Sequence, residues 1–421
     1  MELKRTLNLF DATSIGIGAI IGAGIFVVLG IATGYAGPSV VISMIVAGVV
    51  ASFTAFSFAE LGSAIPREGG AYAYAYELVS PASAFVVGCL WIFAQIVAGA
   101  AISLGFAGYF VTIFPVLPVK IIAVLAAATL TGLNIVGIKQ SATVNDVLVL
   151  TKIAILCLFI GFGIFSINYQ NFSTFSPNGI FGILQGASFI FFAYIGFGRI
   201  ATLAEEVKNP KRNMPLSILL ALTISVIIYV LTGFTATGLQ DYRILAQSGS
   251  PLADAAAVIG NNVLIGAVSL GALIATTSVL LTNLLGVSRV TFTMARNGQL
   301  PKTVAKVSSR FGTPYFSILV MGAITALLPL VLHLKQTVAV TSFCILFTHA
   351  VVNLSAIKVR KKMPQSTTFK APFYPTIPTL GILSCILLMF SLPIEAWIVA
   401  AAVVTISSVF ILLRSKKSSE V

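Results

Sequence analysis

The sequence predicts an all-α integral membrane protein with twelve transmembrane helices, and three observations carry that prediction. Of 421 residues, 58% are hydrophobic and only 9% charged, whereas a soluble domain needs about 25% charged residues to cover its water-facing surface. Mean hydropathy is +1.03, and apolar runs recur from end to end, each long enough (about 18 residues or more) to cross ~30 Å of hydrocarbon at ~1.5 Å per residue. Lys and Arg are also distributed unevenly between the connecting loops. This composition excludes a soluble enzyme.

Taken in order, span 1 (10–33) follows Lys4 and Arg5 as a signal peptide would, but it is too long and many spans follow, so it reads as a retained helix. Span 2 covers 38–63. Spans 3 to 6 cover 82–112, 118–138, 146–168 and 178–204; spans 7 to 9 cover 214–238, 256–295 and 314–333. Spans 10 to 12 cover 337–358, 376–391 and 394–413, all separated by charged, Pro-rich or Gly-rich breaks. The sizeable extramembrane pieces are loops such as 65–81 and 297–313, and no separate soluble domain is expected.

The 25 Lys and Arg outnumber the 12 Asp and Glu, for a net charge of +13. In a soluble protein this would point to nucleic acid; here it follows from insertion, because cytoplasmic loops collect basic residues. Lys120, Arg243 and Lys335 fall on one side of the twelve-span arrangement and Lys152, Arg199 and Arg289 fall within spans. The other nineteen share the opposite side, which places both termini in the cytoplasm of a multi-pass cell-membrane protein. Cys89, Cys157, Cys344 and Cys385 lie in apolar runs without CxxC spacing, so neither a disulfide framework nor a metal site is expected. His333 and His349 are too isolated for a metal cluster and read as packing or interface residues.

Two spans are interrupted near their middles. Span 1 carries Gly16, Gly18, Gly22 and Gly24; glycine costs a helix about 1 kcal/mol relative to alanine, and in lipid each freed backbone group needs another partner. Gly18 and Gly22 also form a GxxxG pair, so close helix packing is the simpler reading of this span alone. Span 6 repeats the interruption at Phe191-Phe-Ala-Tyr194-Ile-Gly-Phe197-Gly198, five spans later. An offset of five places a second five-helix unit upside down relative to the first, and paired interruptions of this kind mark a transporter's midplane binding site. The N–H groups of Ala23, Gly24 and Ile25, at the positive end of a half-helix, suit a carboxylate. Carbonyls near Ile20 and at Phe191 to Tyr194 suit an ammonium. An α-amino acid carries both groups on one carbon.

Three basic residues inside spans need partners. Arg289 near the end of span 8 reads as an anchor. Arg199 follows the span 6 break and lies on the same helical face as Glu206, seven residues on; a salt bridge or snorkelling explains it, and contact with an anionic substrate side chain is the sharper alternative. Lys152 lies about 9 Å inside span 5 from Asp146. It either snorkels to the surface or is a buried amine.

Five local patterns resemble the amino acid/polyamine/organocation permease superfamily over almost the whole chain. They are Gly18-Ala-Ile-Ile-Gly22-Ala-Gly24-Ile-Phe26, Glu60 to Tyr74, Phe191 to Gly198, Glu205 to Pro215, and Ser288-Arg289 through Pro301. The resemblance implies a 5+5 inverted repeat of the leucine-transporter kind plus two C-terminal helices, with the first repeat at 1–170, the second at 171–360, and the extra helices and tail at 361–421. It implies that Gly22-Ala23-Gly24 bind the substrate carboxylate. It also implies that Phe192 takes an aromatic position covering the substrate, and that Gly198 stands where cation-specific relatives carry a carboxylate. A neutral side chain bounded by Phe192 and Phe197 is therefore expected, although both phenylalanines serve equally well as core packing.

Lys152, in Val-Leu-Thr-Lys-Ile-Ala-Ile-Leu, matches the lysine that sodium-independent members place where sodium-coupled relatives bind an ion. Its expected partners are the carbonyls near Ile17 and Gly18 and a hydroxyl of Thr277 or Ser278. The function expected is proton-coupled secondary transport of neutral L-amino acids, with the amino acid, the proton and the bilayer as partners, no cofactor, no enzymatic activity, no nucleic acid and no obligatory protein partner. Alternatives are amino acid or amine exchange without net ion coupling, and an amino-acid-binding membrane sensor. No carbonyl filter or charged pore ring suggests a channel, and no GxxxxGK[ST] suggests a pump.

Overall fold

The computed structural model describes residues 7–65, 69–137, 142–203, 207–308, 313–363 and 369–419. The chain begins with α1 (Leu9–Ile20), a π-helical turn at Gly24–Val28 and α2 (Leu29–Ala36). Then come α3 (Val40–Ala64), α4 (Ala71–Leu78), α5 (Pro81–Ile113), α6 (Val119–Val136), α7 (Ala142–Gly163) and α8 (Gly179–Tyr194), the last continuing as a 3₁₀ helix over Ile195–Leu203. Next are α9 (Pro210–Leu239), α10 (Tyr242–Gln247), α11 (Pro251–Ala257), α12 (Asn262–Arg296), α13 (Tyr315–Val331), α14 (Leu334–Lys362), α15 (Thr376–Phe390) and α16 (Ile394–Ser419).

Among the described residues, nine helical stretches are long and apolar enough to cross a membrane, and α13 and α15 are shorter apolar helices. One of the nine runs 56 residues, Leu9–Ala64, more than twice what a bilayer needs. It turns at Gly37, whose φ of 63° lies in the region that glycine enters without penalty. Large apolar side chains such as Leu125, Leu150, Phe162 and Leu387 are exposed around the helices, the arrangement expected where the surrounding solvent is lipid.

Local chemistry sets the helix ends. Asn8 and Asp11 form a reciprocal capping box at the start of α1, Asn8 Oδ1 accepting from the Asp11 N–H at 3.1 Å and Asp11 Oδ2 from the Asn8 N–H at 2.8 Å. Asn261 Oδ1 accepts from the N–H groups of Val263 and Leu264 and starts α12. That cap, with Gly260 at φ 75°, shortens the expected span 8: the stretch 256–261 belongs to α11 and a turn rather than to the long helix. The expected loop 65–81 likewise contains α4, whose Tyr72, Tyr74 and Leu78 are buried.

Two groups of helices frame the centre. Helix α1 packs on α9, and α3 on α8 and α9; α5 packs on α6, α12, α13 and α14. Helix α7 lies between the groups, touching α1, α9 and α12.

The far end of α3 is tied to α14 by a buried ion pair. Glu60, fully buried, accepts from Arg360 Nε at 2.6 Å and Nη2 at 2.9 Å, and also from the Ala371 N–H at 2.9 Å. The same guanidinium donates to the Ala371 carbonyl at 2.7 Å and stacks 4.1 Å from the Tyr374 ring.

Candidate functional site

Helix α1 ends because Ile21 leaves the helical region, with ψ 96°, after its N–H donates to the Ile17 carbonyl at 2.7 Å. The chain resumes helical backbone at Ala23, so the first N–H groups of the new segment lack an acceptor within their own helix. The break is held from outside. The Tyr229 hydroxyl of α9 donates to the Ile20 carbonyl at 2.7 Å and lies 3.3 Å from the Ala193 carbonyl, joining the interruptions of spans 1 and 6. The Tyr109 hydroxyl of α5 donates to the Phe26 carbonyl at 2.6 Å.

Close backbone approach explains the glycines. A Cβ on Gly24 would sit 2.3 Å from Ala193 Cα, and one on Gly196 would sit 2.3 Å from the Ala19 carbonyl carbon. None of Gly16, Gly18, Gly22 and Gly24 has a positive φ. Close approach rather than a left-handed backbone therefore requires them: Gly24 and Gly196 lie at the contact between the first and sixth spans, while a Cβ on Gly18 would meet Val149 of α7 at 2.7 Å and one on Gly22 would meet Val279 of α12 at 2.6 Å.

Three cavities meet at this point. A chamber of about 30 Å³ is lined by Ile20, Gly22, Ala23, Gly24, Phe192 and Ile195, with Gln95, Arg199, Val279 and Asn283 among its other walls. Beside it, a cavity of about 150 Å³ is lined by Gly18, Ala19, Trp91, Gln95, Arg199, Ser278, Thr282, Asn283 and Arg289. The third, also about 30 Å³, is lined by Gly198, Phe58, Gln95, Arg199 and His349 among others. None of the described residues lining the three is Asp or Glu.

The expected site residues separate into two sets. Ile20, Gly22, Ala23, Gly24 and Phe192 share the chamber, and Gly198 opens onto the third cavity, where the nearest neighbour of a Cβ would be the Phe58 ring at 3.4 Å. Ile25 is fully buried and does not line the chamber. Phe191 and Phe197 pack on His349, at 5.6 and 5.4 Å between ring centres, and Phe197 also packs on Phe58. Tyr194 donates to the Met44 carbonyl at 3.2 Å and packs on Tyr229. Of the carbonyls expected to face an ammonium, that of Ile20 is already engaged by Tyr229.

Lys152 is buried, 1% exposed. Its Nζ donates to the Gly18 carbonyl at 3.1 Å, the Ile21 carbonyl at 3.2 Å and Ser278 Oγ at 2.6 Å. Snorkelling is thereby excluded as its resting arrangement. Gly18 and Ser278 are as expected; Ile21 replaces Ile17, and Thr277 is turned toward a separate cavity beside Leu148 and Leu273. The reason is helical geometry, since adjacent residues of α12 point about 100° apart. One turn beyond Ser278, Thr282 Oγ1 accepts from Arg199 Nη1 at 2.7 Å. Arg289 is exposed at the wall of the larger cavity, and Glu206, the partner expected for Arg199, lies outside the described residues, as do 66–68 of the second pattern and Glu205 of the fourth.

Sequence reasoning missed Gln95, Asn283, Tyr109 and Tyr229, and treated His349 as packing without locating it behind span 6. For Gln95 and Asn283 the available signal was an amide inside an apolar span, since a buried polar group there must be hydrogen-bonded by something.

The sequence profile of the amino acid permease family matches residues 11–414. The chain is 34% identical to the methylthioribose transporter of Bacillus subtilis, over 99% of this chain and 95% of that protein. It is also 34% identical to the branched-chain amino acid permease BcaP of B. subtilis, over 93% and 89%. Cationic amino acid transporter 1 of Arabidopsis thaliana is 32% identical over 86% of this chain and 63% of its own length. With broken helices meeting beside a chamber that Gln95, Arg199 and Asn283 also line, and a match over nearly all of its length, the chain belongs to the amino acid permease family, a family of membrane transporters rather than enzymes.

Proposed function

We propose that this permease carries neutral L-amino acids across the cell membrane, drives them with protons and works by alternating access. The observation that carries the reading is the position of the Lys152 ammonium, which bridges the span 1 break and Ser278 of α12. A cation held there ties α1 to α12, and its proton is the charge that the site can gain or lose. Loading the proton favours the arrangement in which the two helices are joined; losing it to the cytoplasm releases them, and the substrate chamber opens with them.

In this reading, the N–H groups of Gly22, Ala23 and Gly24 hold the substrate carboxylate and Phe192 covers it. The ammonium faces the span 6 carbonyls, while Lys152 with Ser278 forms the coupling site and Thr277 has no direct part. A neutral side chain is supported by Gly198 and by the lack of Asp or Glu among the described cavity residues, since a second cationic group would lose its water without a counter-charge. The relative named for branched-chain amino acids agrees; the one named for cationic amino acids does not.

Dividing Leu9–Ala64 at Gly37 and counting α13 and α15 gives twelve spans. The first repeat then covers 1–170, the second 171–360 and the two extra helices 361–421, with both termini cytoplasmic. Uptake into proteoliposomes tests the proposal: accumulation of a neutral amino acid should require an inward proton gradient. Stimulation by sodium alone would overturn proton coupling.

A further inference from the structure

Asn283 of α12 is 2% exposed and lines both the chamber at the break and the larger cavity beside it. Neither its Oδ1 nor its Nδ2 has a hydrogen-bond partner, and among the described residues it is the only side chain with two such atoms. A buried amide without partners has given up water for nothing, a condition that proteins tolerate chiefly where a functional group completes it. Because both atoms are open, the observation does not depend on which way the amide is turned. Gln95 of α5, 3% exposed, lines the same two spaces, and Arg199 is held at the shared wall by Thr282.

We infer that Asn283 reads the substrate's side chain, and that the preferred substrates are neutral amino acids whose side chains both donate and accept hydrogen bonds: carboxamides first, hydroxyls second. This deepens the proposal above and rests on it. A substrate carboxamide pairs with the Asn283 amide through two antiparallel hydrogen bonds, using both open atoms. An aliphatic side chain would leave both unpaired in a buried wall. A carboxylate would satisfy Nδ2 but not Oδ1; an ammonium or guanidinium would satisfy Oδ1 but bring a second cation beside Arg199. Only a neutral group with both functions answers the whole set.

The experiment is competition binding on the purified full-length protein with labelled alanine as probe and glutamine, asparagine, serine, leucine, glutamate and arginine as competitors. Glutamine should displace alanine at concentrations at least about 10-fold lower than leucine, the size expected for a lost buried hydrogen-bond pair. Asn283→Leu should move the glutamine-to-leucine affinity ratio at least about 10-fold toward leucine. Leucine or glutamate ahead of glutamine in the unaltered protein, or an unchanged ratio in Asn283→Leu, overturns the inference while leaving amino acid transport standing. If that variant does not fold, the ranking by the unaltered protein decides alone. Failure of every amino acid to displace or bind overturns the underlying transport proposal instead.

Discussion

Lys152 of α7 and Ser278 of α12 meet across the protein interior at 2.6 Å, and the same ammonium holds the carbonyls of Gly18, in the last turn of α1, and Ile21, where the first break begins. One turn along α12, Thr282 holds Arg199 at 2.7 Å, and its hydroxyl also donates to the Ser278 carbonyl at 3.0 Å. Two cations from different spans are thus anchored to one face of one helix. Three elements that must separate if the site is to open toward one side of the membrane are pinned at a single point.

Removing that ammonium should uncouple transport. Lys152→Ala is expected to abolish accumulation driven by an inward proton gradient while changing substrate affinity by less than about 10-fold, because no substrate group is assigned to Lys152. The sign is fixed by the proton's role: in the unaltered protein, uptake rises as the outside is acidified, and the variant's uptake should be flat over the same range. Uptake against a gradient with a normal pH response in the variant would sink the coupling role.

The chamber depends on contact between spans 1 and 6. Gly24→Val should lose binding of every amino acid, since even its Cβ would lie 2.3 Å from Ala193 Cα, and backbone must move to admit it. Scintillation-proximity binding measures this, with membrane insertion and size-exclusion behaviour as controls. Normal binding by a folded Gly24→Val would show that the carboxylate is held elsewhere.

Charge selectivity follows from the cavity walls. Alanine, serine or another neutral amino acid should compete better than arginine or lysine by at least about 10-fold, because a second cation would be desolvated beside Arg199. Stronger inhibition by arginine would contradict this, and stronger inhibition by glutamate would assign Arg199 to the substrate's side chain.

Stability should depend on the pair that joins α3 to α14. Glu60 is fully buried and meets Arg360 twice, so Glu60→Ala leaves a guanidinium without its counter-charge; removal of one partner of a buried pair costs about 3–5 kcal/mol. Part of that figure is lost to solvent, since Arg360 is 22% exposed. Thermal unfolding in detergent should show a clearly lower midpoint for Glu60→Ala, with partial recovery in Glu60→Gln, which keeps acceptance from Arg360. An unchanged midpoint would mean that the pair contributes nothing net.

The length, apolarity and periodic breaks of the chain determined that it is helical, membrane-embedded and interrupted at two matching places, because hydrocarbon accepts only backbones that satisfy their own hydrogen bonds. Lys152 was legible in part for the same reason, since a charge inside an apolar run requires a partner; the run left open whether it snorkels or is buried, and only the resemblance to the permease superfamily pointed to span 1 and α12. Tertiary structure alone decided which partner it is. Ser278 faces the ammonium and Thr277 does not, a matter of about 100° around α12 that no spacing argument resolved. It also decided that Ile20 is taken by Tyr229, that Phe191, Tyr194 and Phe197 are buried in packing while Phe192 reaches the chamber, and that the glycines serve contact between helices. Gln95 and Asn283 stood in the sequence as amides within apolar spans, but their convergence joins residues 188 positions apart. A one-dimensional pattern reports what each segment must bury, whereas which buried groups meet depends on how helices rotate and cross, and packing across the whole bundle sets that.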